Sequence, residues 1–204
     1  MSFYEEKIVP HIINCACGTK PILKQREKIV PLASGTILEI GIGTGINLDY
    51  YDANKVAKVI GLDPSEASWK LAGERAANLP FEVEFIGLPG EQIPLDDNSI
   101  DTVLVTYSLC TIPDPVTALE GMRRVLKPNG KLIFCEHGQA PDANIKKWQN
   151  RINPSWKVLF GGCNLNRDIP QLLQQGGFTV DSLDCMYLPS TPKFAGFNYW
   201  GIAS

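Results

Sequence analysis

The sequence predicts an α/β fold: one mostly parallel, seven-stranded sheet with helices on both faces and an antiparallel strand in a terminal hairpin. Three observations point there. Strand-like apolar runs alternate with stretches of helical periodicity through most of the chain, the pattern of a parallel sheet. The last two runs follow one another with no helix between them, which closes the sheet with a hairpin. At 204 residues, 44% apolar and 20% charged, the chain suits a single domain spanning 1–204 with a substantial core.

The elements read as follows. Residues 3–14 and 20–33 are helical, broken near Cys17-Gly18, and residues 1–34 form a helical lid ahead of the sheet core at 35–204. "TILEI" (36–40) is a buried strand, and a short helix opens at Gly45. "AKVIGLD" (57–63) is the second strand, with Ser65 as N-cap of a helix running to about Asn78. "FEVEFIG" (81–87) and "SIDTVLVTYSL" (99–109) are the third and fourth. Pro113 and Pro115 start a helix that "KPNG" (127–130) ends, and "KLIFCEH" (131–137) is the fifth strand. Residues 143–160 are helical with a break near Pro154, and Asp168–Gln175 is a helix ended by Gly176-Gly177. "FTVDSLDCMYL" and "FAGFNYWGIA" form the closing hairpin, with one antiparallel strand at an edge. In such sheets ligands lie beyond the C-terminal strand ends. That places the site at Gly41–Gly45, Asp63, Gly87–Glu91, Thr106–Leu109 and Cys135–Gly138.

Bulk properties remove several function classes. A net charge of −3 gives no electrostatic case for nucleic acid or an anionic membrane. No apolar run approaches ~20 residues, so stable membrane insertion is not expected. "MSFYEEKIVPH" lacks a basic-then-apolar signal pattern, and a cytoplasmic protein is expected. The six cysteines (Cys15, Cys17, Cys110, Cys135, Cys163 and Cys185) read as free thiols, several of them in apolar runs. Cys163 reads as a packed turn residue, with a substrate-site thiol as the alternative. Cys15-x-Cys17 with His11 upstream lacks the spacing and the second pair of a metal site, so no metal is expected.

The stretch "ILEIGIGTGINLDYY" carries glycines at alternate positions 41, 43 and 45. A tight turn needs one such residue or two; three favour close approach of a ligand to the backbone. The spacing is G-x-G-x-G, not the G-x-G-x-x-G of dinucleotide binding, which argues against a nicotinamide oxidoreductase. Glu39 at the end of a buried strand suits a cationic or hydrogen-bond-donating ligand better than a pyrophosphate. Asp63, 22 residues after Gly41, ends the second strand, where an acid accepts from both hydroxyls of an adenosine ribose. By itself an Asp there is more often a helix cap.

E-x-G-x-G-x-G after the first strand and an acid after the second resemble the class I S-adenosylmethionine-dependent methyltransferases, whose sheet is Rossmann-like. "PGEQIPLDDNSIDTVLV" (89–105) resembles their third-strand region, and "RRVLKPNGKLIF" (123–134) the approach to strand five. The resemblance covers at least residues 35–138. It implies S-adenosyl-L-methionine as cofactor, held by Glu39, Gly41, Gly43, Gly45, Asn47, Asp63, Pro64, Ser65, Leu88, Gly90, Glu91, Thr106 and Tyr107. Glu39 would organise the loop or meet the amino group. One departure is Pro89, where many relatives carry a polar residue for the adenine amine. Adenine would then rely on backbone groups and on Leu88.

"EHGQAPDANIKKWQNRINPSWKVLFGGCNLNRDI" (136–169) resembles a subgroup that contains alkyl-thiol S-methyltransferases, and "YSLCTIPDP" (107–115) fits it as well. This implies a small methyl acceptor, apolar or thiol-bearing. A thiol suits the residues present, because thiolate is a strong nucleophile that needs little general-base help. The candidate catalytic residues are His137 and Tyr107. His137 reads as base, as substrate contact, or as a structural partner of Glu136 or a backbone carbonyl; Tyr107 contacts substrate or cofactor, or packs. Trp148, Trp156 and Phe160 read as core, or as walls of an acceptor pocket. Lys20, Gln25 and Arg26 read as surface residues of the lid, with an anionic-substrate contact by Arg26 as the alternative. No Asn/Asp-Pro-Pro-Tyr motif is present, which argues against nucleic-acid amino methylation. Alternative acceptors are a quinone, a phenol or a phospholipid amine. A non-catalytic module that only binds the cofactor is the reading from a different class.

Overall fold

The central strand β1 (Gly35–Ile40) places Ile37, Leu38 and Ile40 almost wholly out of solvent. Such a run fits a strand covered on both sides. A computed structural model describes residues 17–204 of the chain. The expected helix over 3–14, together with His11 and Cys15, lies outside the described residues. Helix α1 (Lys20–Ile29) continues into a 3-10 turn, Val30–Leu32. After β1, a 3-10 turn spans Ile46–Tyr50. Then come β2 (Val56–Leu62), α2 (Glu66–Ala76), β3 (Glu82–Ile86), β4 (Ile100–Thr106), α3 (Pro115–Val125) and β5 (Leu126–His137). The chain closes with α4 (Ala143–Leu159), α5 (Ile169–Gln175), β6 (Val180–Tyr187), α6 (Lys193–Gly196) and β7 (Phe197–Ala203).

The sheet order is β3-β2-β1-β4-β5-β7-β6. Strands β1 to β5 are parallel, and β7 runs antiparallel to both β5 and β6. The last strand in sequence thus lies one place in from the edge, and β6 is outermost. The order reverses between β1 and β4, and the crevice beyond their C-terminal ends is the expected ligand position.

Side-chain alternation sorts the strands onto two faces. Leu38, Ile40, Val103, Val105 and Phe134 pack with α3 and α5 through Leu119, Met122, Ile169 and Leu173. Ile37, Val59, Leu104 and Ile133 pack on the other face with Ile29 and Val30 from the α1 region and with Trp69 of α2. Register therefore puts Glu39, Thr106 and Cys135 on the face covered by α1.

Three expectations need correction. Pro154 sits inside an unbroken α4. Tertiary hydrogen bonds on both sides of it hold the helix: Asn153 accepts from Leu165 N just before it, and Trp156 Nε1 donates to Cys163 Sγ just after it. "KPNG" does not precede β5 but bulges from within it, since Ile100 pairs with Leu126 and Thr102 with Lys131. The helix before it does end as expected, at Val125. "FAG" is a helical turn, not strand, and β7 begins at Phe197.

Gln149 is fully buried and ties α4 to three other segments. Its Oε1 accepts from Ala140 N, and its Nε2 lies 2.9–3.1 Å from the carbonyls of Gly138, Leu165 and Phe194. Gln149→Leu preserves volume but strands these backbone groups. Urea denaturation should show a loss of about 2–4 kcal/mol; an unchanged midpoint would contradict this clamp.

Candidate active site

Gly41, Gly43 and Gly45 all adopt left-handed backbone, with φ of 71°, 53° and 72°. The first and third are also sterically closed. A Cβ on Gly41 would lie 2.1 Å from Ser108 Oγ, and one on Gly45 would lie 2.8 Å from Leu48 Cδ1. At Gly43 the nearest protein atoms would be 3.9 and 4.0 Å away. The protein itself does not fill the space above Gly43, which is the close-approach surface expected for a ligand.

Asp63 links this loop to the next. Its Oδ2 accepts from Gly43 N at 3.0 Å and its Oδ1 from Ser65 N at 2.8 Å. Burial raises its pKa, while these two backbone bonds pull it down. Pro64 follows, and Ser65 caps α2 by accepting from Ser68 N. Asp63 thus ties the glycine loop to the turn ahead of α2, while the N-cap of that helix is Ser65, as expected, and not Asp63.

Beneath the loop lies a buried polar network. Glu39 is 2% exposed; it accepts from Asn47 Nδ2 at 2.9 Å and Tyr51 Oη at 2.7 Å. Burial drives its pKa up to about 7 against those two hydrogen bonds. Asn47 also donates to Thr106 Oγ1. Arg26 Nη1 donates to Asn47 Oδ1 at 2.6 Å and Thr106 Oγ1 at 2.7 Å, and its guanidinium lies 5.1 Å from the Tyr107 ring centre. The surface reading of Arg26 is therefore wrong: the residue is buried and spans α1, the glycine loop and β4. Its Nε is buried with no hydrogen-bond partner among the described residues. A spare cationic donor and an open glycine cradle both fit an amino-acid-bearing nucleoside.

Tyr107 follows β4 with φ of 53°, unusual for a bulky residue. Its N–H is held by Cys135 O, and its phenol lies 3.6 Å from Cys135 Sγ. The next turn hangs on Glu136, whose Oε1 accepts from Ser108 N at 2.6 Å and Leu109 N at 3.0 Å. Burial raises Glu136 to about 7, and its Oε2 has no partner among the described residues. Arg167 Nη1 donates to Leu109 O on the same turn.

His137 meets Cys163, not Glu136, with Nε2 and Sγ 3.2 Å apart. Burial would lower the imidazole pKa, but the charge of Cys163 and the hydrogen bond to it raise it overall. Cys163 is lowered from the usual thiol range, through hydrogen bonding with Cys110 and the nearby imidazolium, against burial. Trp156 Nε1 also donates to this sulfur. Cys17, just ahead of α1, feels Arg26, Cys163 and Glu136.

Leu88, Gly90 and Glu91 lie in the loop between β3 and β4. Leu88 packs against the core, a Cβ on Gly90 would press on Ile112, and Glu91 Oε1 accepts from Asp114 N. On α4, Trp156 stacks on Phe160 with ring centres 3.9 Å apart, but Trp148 is 48% exposed and is not core. Sequence reasoning did not find the network roles of Arg26 and Tyr51 or the Cys110–His137–Cys163 group. Their partners lie too far along the chain for spacing to reveal them.

The raised pKa of Glu39 has a stability consequence. The folded chain holds this proton more tightly than the unfolded one between pH 4.5 and about 7, so its contribution falls as pH rises through that window. Against Glu39→Gln, which removes the titration, the ligand-free wild type should lose roughly 1–3 kcal/mol between pH 5 and 8. Parallel denaturation curves would show this; a constant difference would contradict it.

A methyltransferase-domain family model matches residues 38–134. A thiol S-methyltransferase, TMT1B of Rattus norvegicus, is 34% identical over 79% of this chain and 69% of its own length. A demethylmenaquinone methyltransferase of Staphylococcus carnosus is 39% identical over 69% of this chain and 58% of its own. In fold, the chain is similar to a SAM-dependent methyltransferase from Leishmania major, with a TM-score of 0.72 at 15% identity over 98% of this chain and 80% of that one. The glycine loop, its acid and this sheet order sit in the setting those relatives share: the chain belongs to the class I S-adenosylmethionine-dependent methyltransferases, among relatives that include thiol S-methyltransferases.

Proposed function

We propose that the acceptor of this methyltransferase is the thiol of a small, apolar molecule. One observation carries the choice of sulfur. The two titratable groups at the end of β5 are both engaged: Glu136 holds the 108–110 turn through Oε1 and is sealed from solvent, and His137 meets Cys163. A phenol or alcohol needs a free base at the reacting atom. A thiol reaches its nucleophilic form near neutral pH and depends chiefly on alignment. The relatives named as thiol S-methyltransferases support the same choice. The demethylmenaquinone relatives favour a quinone-type acceptor as the second reading.

In this reading the cofactor supplies an electrophilic sulfonium methyl. Gly41, Gly43 and Gly45 bring the backbone against it, and Asp63 takes the ribose hydroxyls on its remaining lone pairs. Asn47, Thr106 and Tyr107 border the amino-acid portion, while Pro64, Ser65, Leu88, Gly90 and Glu91 surround the adenosine. Glu39 acts from beneath, by positioning Asn47 and Tyr51. Residues 1–34 serve as the lid, and the hydrogen bonds of Arg26, in α1, to Asn47 and Thr106 support that placement. The catalysis is expected in the cytoplasm, within one domain.

Two measurements test this reading. Asp63→Ala should weaken S-adenosylmethionine binding by about 1–3 kcal/mol in calorimetric titration; unchanged affinity would place the cofactor elsewhere. A panel of thiols, phenols, quinones and amines with methyl-labelled cofactor should yield methyl thioethers as the main product by mass. A dominant carbon- or oxygen-methylated product would favour the quinone reading.

A further inference from the structure

Cys110, His137 and Cys163 come from three separate segments: the turn after β4, the last residue of β5 and the loop after α4. One ligand atom from each lies within 4.8 Å of the other two. Trp156 Nε1 donates to Cys163 Sγ at 3.5 Å. The backbone around the group is fixed as well. Asn164 donates to Cys110 O through both its N–H and its Nδ2, at 2.8 and 2.9 Å, and Nδ2 also reaches Gly162 O. Glu136, fully buried beside His137, leaves Oε2 without a partner among the described residues.

From this juxtaposition we infer that Cys110, His137 and Cys163 form a site for a thiophilic d10 cation of the Zn²⁺ class, with the fourth position open to the acceptor thiol. The acceptor part rests on the thiol reading above. Two thiolates and one imidazole are the donor set that selects such a metal over Mg²⁺ or Ca²⁺. Metal–sulfur bonds of about 2.3 Å and metal–nitrogen bonds of about 2.0 Å put tetrahedral ligand atoms roughly 3.5–3.8 Å apart. The observed 3.2 Å between Cys163 Sγ and His137 Nε2, and the 4.8 Å limit for the group, need only sub-ångström to ångström shifts to match. Three protein ligands with one open position is the pattern of catalytic rather than structural zinc. The N–H of Trp156, which donates to Cys163 Sγ, would be an outer partner.

The site gives the acceptor a defined place. The thiol R–SH binds the cation as thiolate and releases its proton to solvent. The thiolate electron pair then forms the new S–CH₃ bond while the C–S⁺ bond of the sulfonium breaks, leaving neutral S-adenosylhomocysteine. The product is a neutral thioether, a weaker ligand than the thiolate it replaces, so it leaves the cation.

The test titrates purified, metal-stripped full-length protein with Cd²⁺ and Co²⁺ in a phosphine reductant, reading thiolate-to-metal absorption and bound metal per chain. Wild type should bind one equivalent. Cys110→Ser and Cys163→Ser should each weaken binding more than about 100-fold, above the range of an outer partner; Trp156→Phe should weaken it about tenfold. Cys185→Ser, at an exposed position, should leave it unchanged. No binding by wild type, or equal binding by Cys163→Ser, overturns the site. So does finding a Cys110–Cys163 disulfide that, once reduced, still takes up no metal. Cofactor binding and product mass are measured alongside. Metal bound with cofactor bound but no methyl thioether formed sinks the thiol reading and leaves the site standing. Full-rate thiol methylation by metal-free protein overturns the metal's part and leaves the thiol reading standing.

Discussion

Glu39 is a carboxylate at the C-terminal end of the central strand, sealed from solvent on the face that α1 covers. An unpartnered acid there would cost several kcal/mol. Both of its oxygens are met, by Asn47 and Tyr51, and much of the cofactor end follows from this. Two donors, eight and twelve residues downstream, must fold back over the strand that has just ended. The chain does so through a turn whose glycines all sit at positive φ. The pocket backbone is thereby placed by a side chain that lies beneath it. Arg26 completes the arrangement from α1, bonding the Asn47 and Thr106 oxygens and supplying the opposite charge. Removing the Glu39 carboxyl would therefore disturb the glycine loop before it disturbed the sheet.

Glu136 repeats the device on the opposite face. It stands one residue before the end of β5, is fully buried, and holds the 108–110 turn by two backbone N–H groups. The two turns meet at the point where the strand order reverses, since a Cβ on Gly41 would collide with Ser108. Each side of the crevice is thus fixed by one internal carboxylate with a pKa of about 7. Each carboxyl holds its loop, so acid–base chemistry at either one would loosen backbone that the crevice depends on. This is the physical ground for the proposal of an acceptor that supplies its own nucleophile.

What was legible in the sequence was the part whose partners are close in the chain. Gly41–Gly45 and Asp63 announce themselves by spacing, and the strands by apolar runs between turn residues. Arg26 was read as a lid-surface residue because a basic position on a mixed stripe looks solvated. Its partners lie 21 and 80 residues away. His137 and Cys163 are 26 residues apart, with α4 between them, and no local pattern joins them. Pro154 misled for a related reason: a helix break is the local expectation, and Gln149 and Asn153 override it through bonds to distant loops. The bulge in β5 was hidden because "KPNG" has turn chemistry, and a bulge uses the same residues as a turn.

The same division separates the two halves of the site. The loop, Glu39, Asn47 and Asp63 fall within residues 38–134, the span of the methyltransferase-domain match. Glu136, His137 and Cys163 fall after it. The R. norvegicus thiol S-methyltransferase aligns with 79% of the chain and the S. carnosus demethylmenaquinone methyltransferase with 69%. Apart from the bonds made by Arg26, the hydrogen bonds of Glu39, Asn47 and Asp63 stay within residues 38–134, a segment that can remain fixed while the segment beyond it changes. The segment after residue 134 is held differently: Gln149 and Asn164 pin α4 and the loop after it to the segments that follow β5 and β4. If the acceptor binds there, as the thiol proposal has it, its specificity would reside in how that helix and loop are docked, because methyl transfer depends on alignment and their hydrogen bonds would set it.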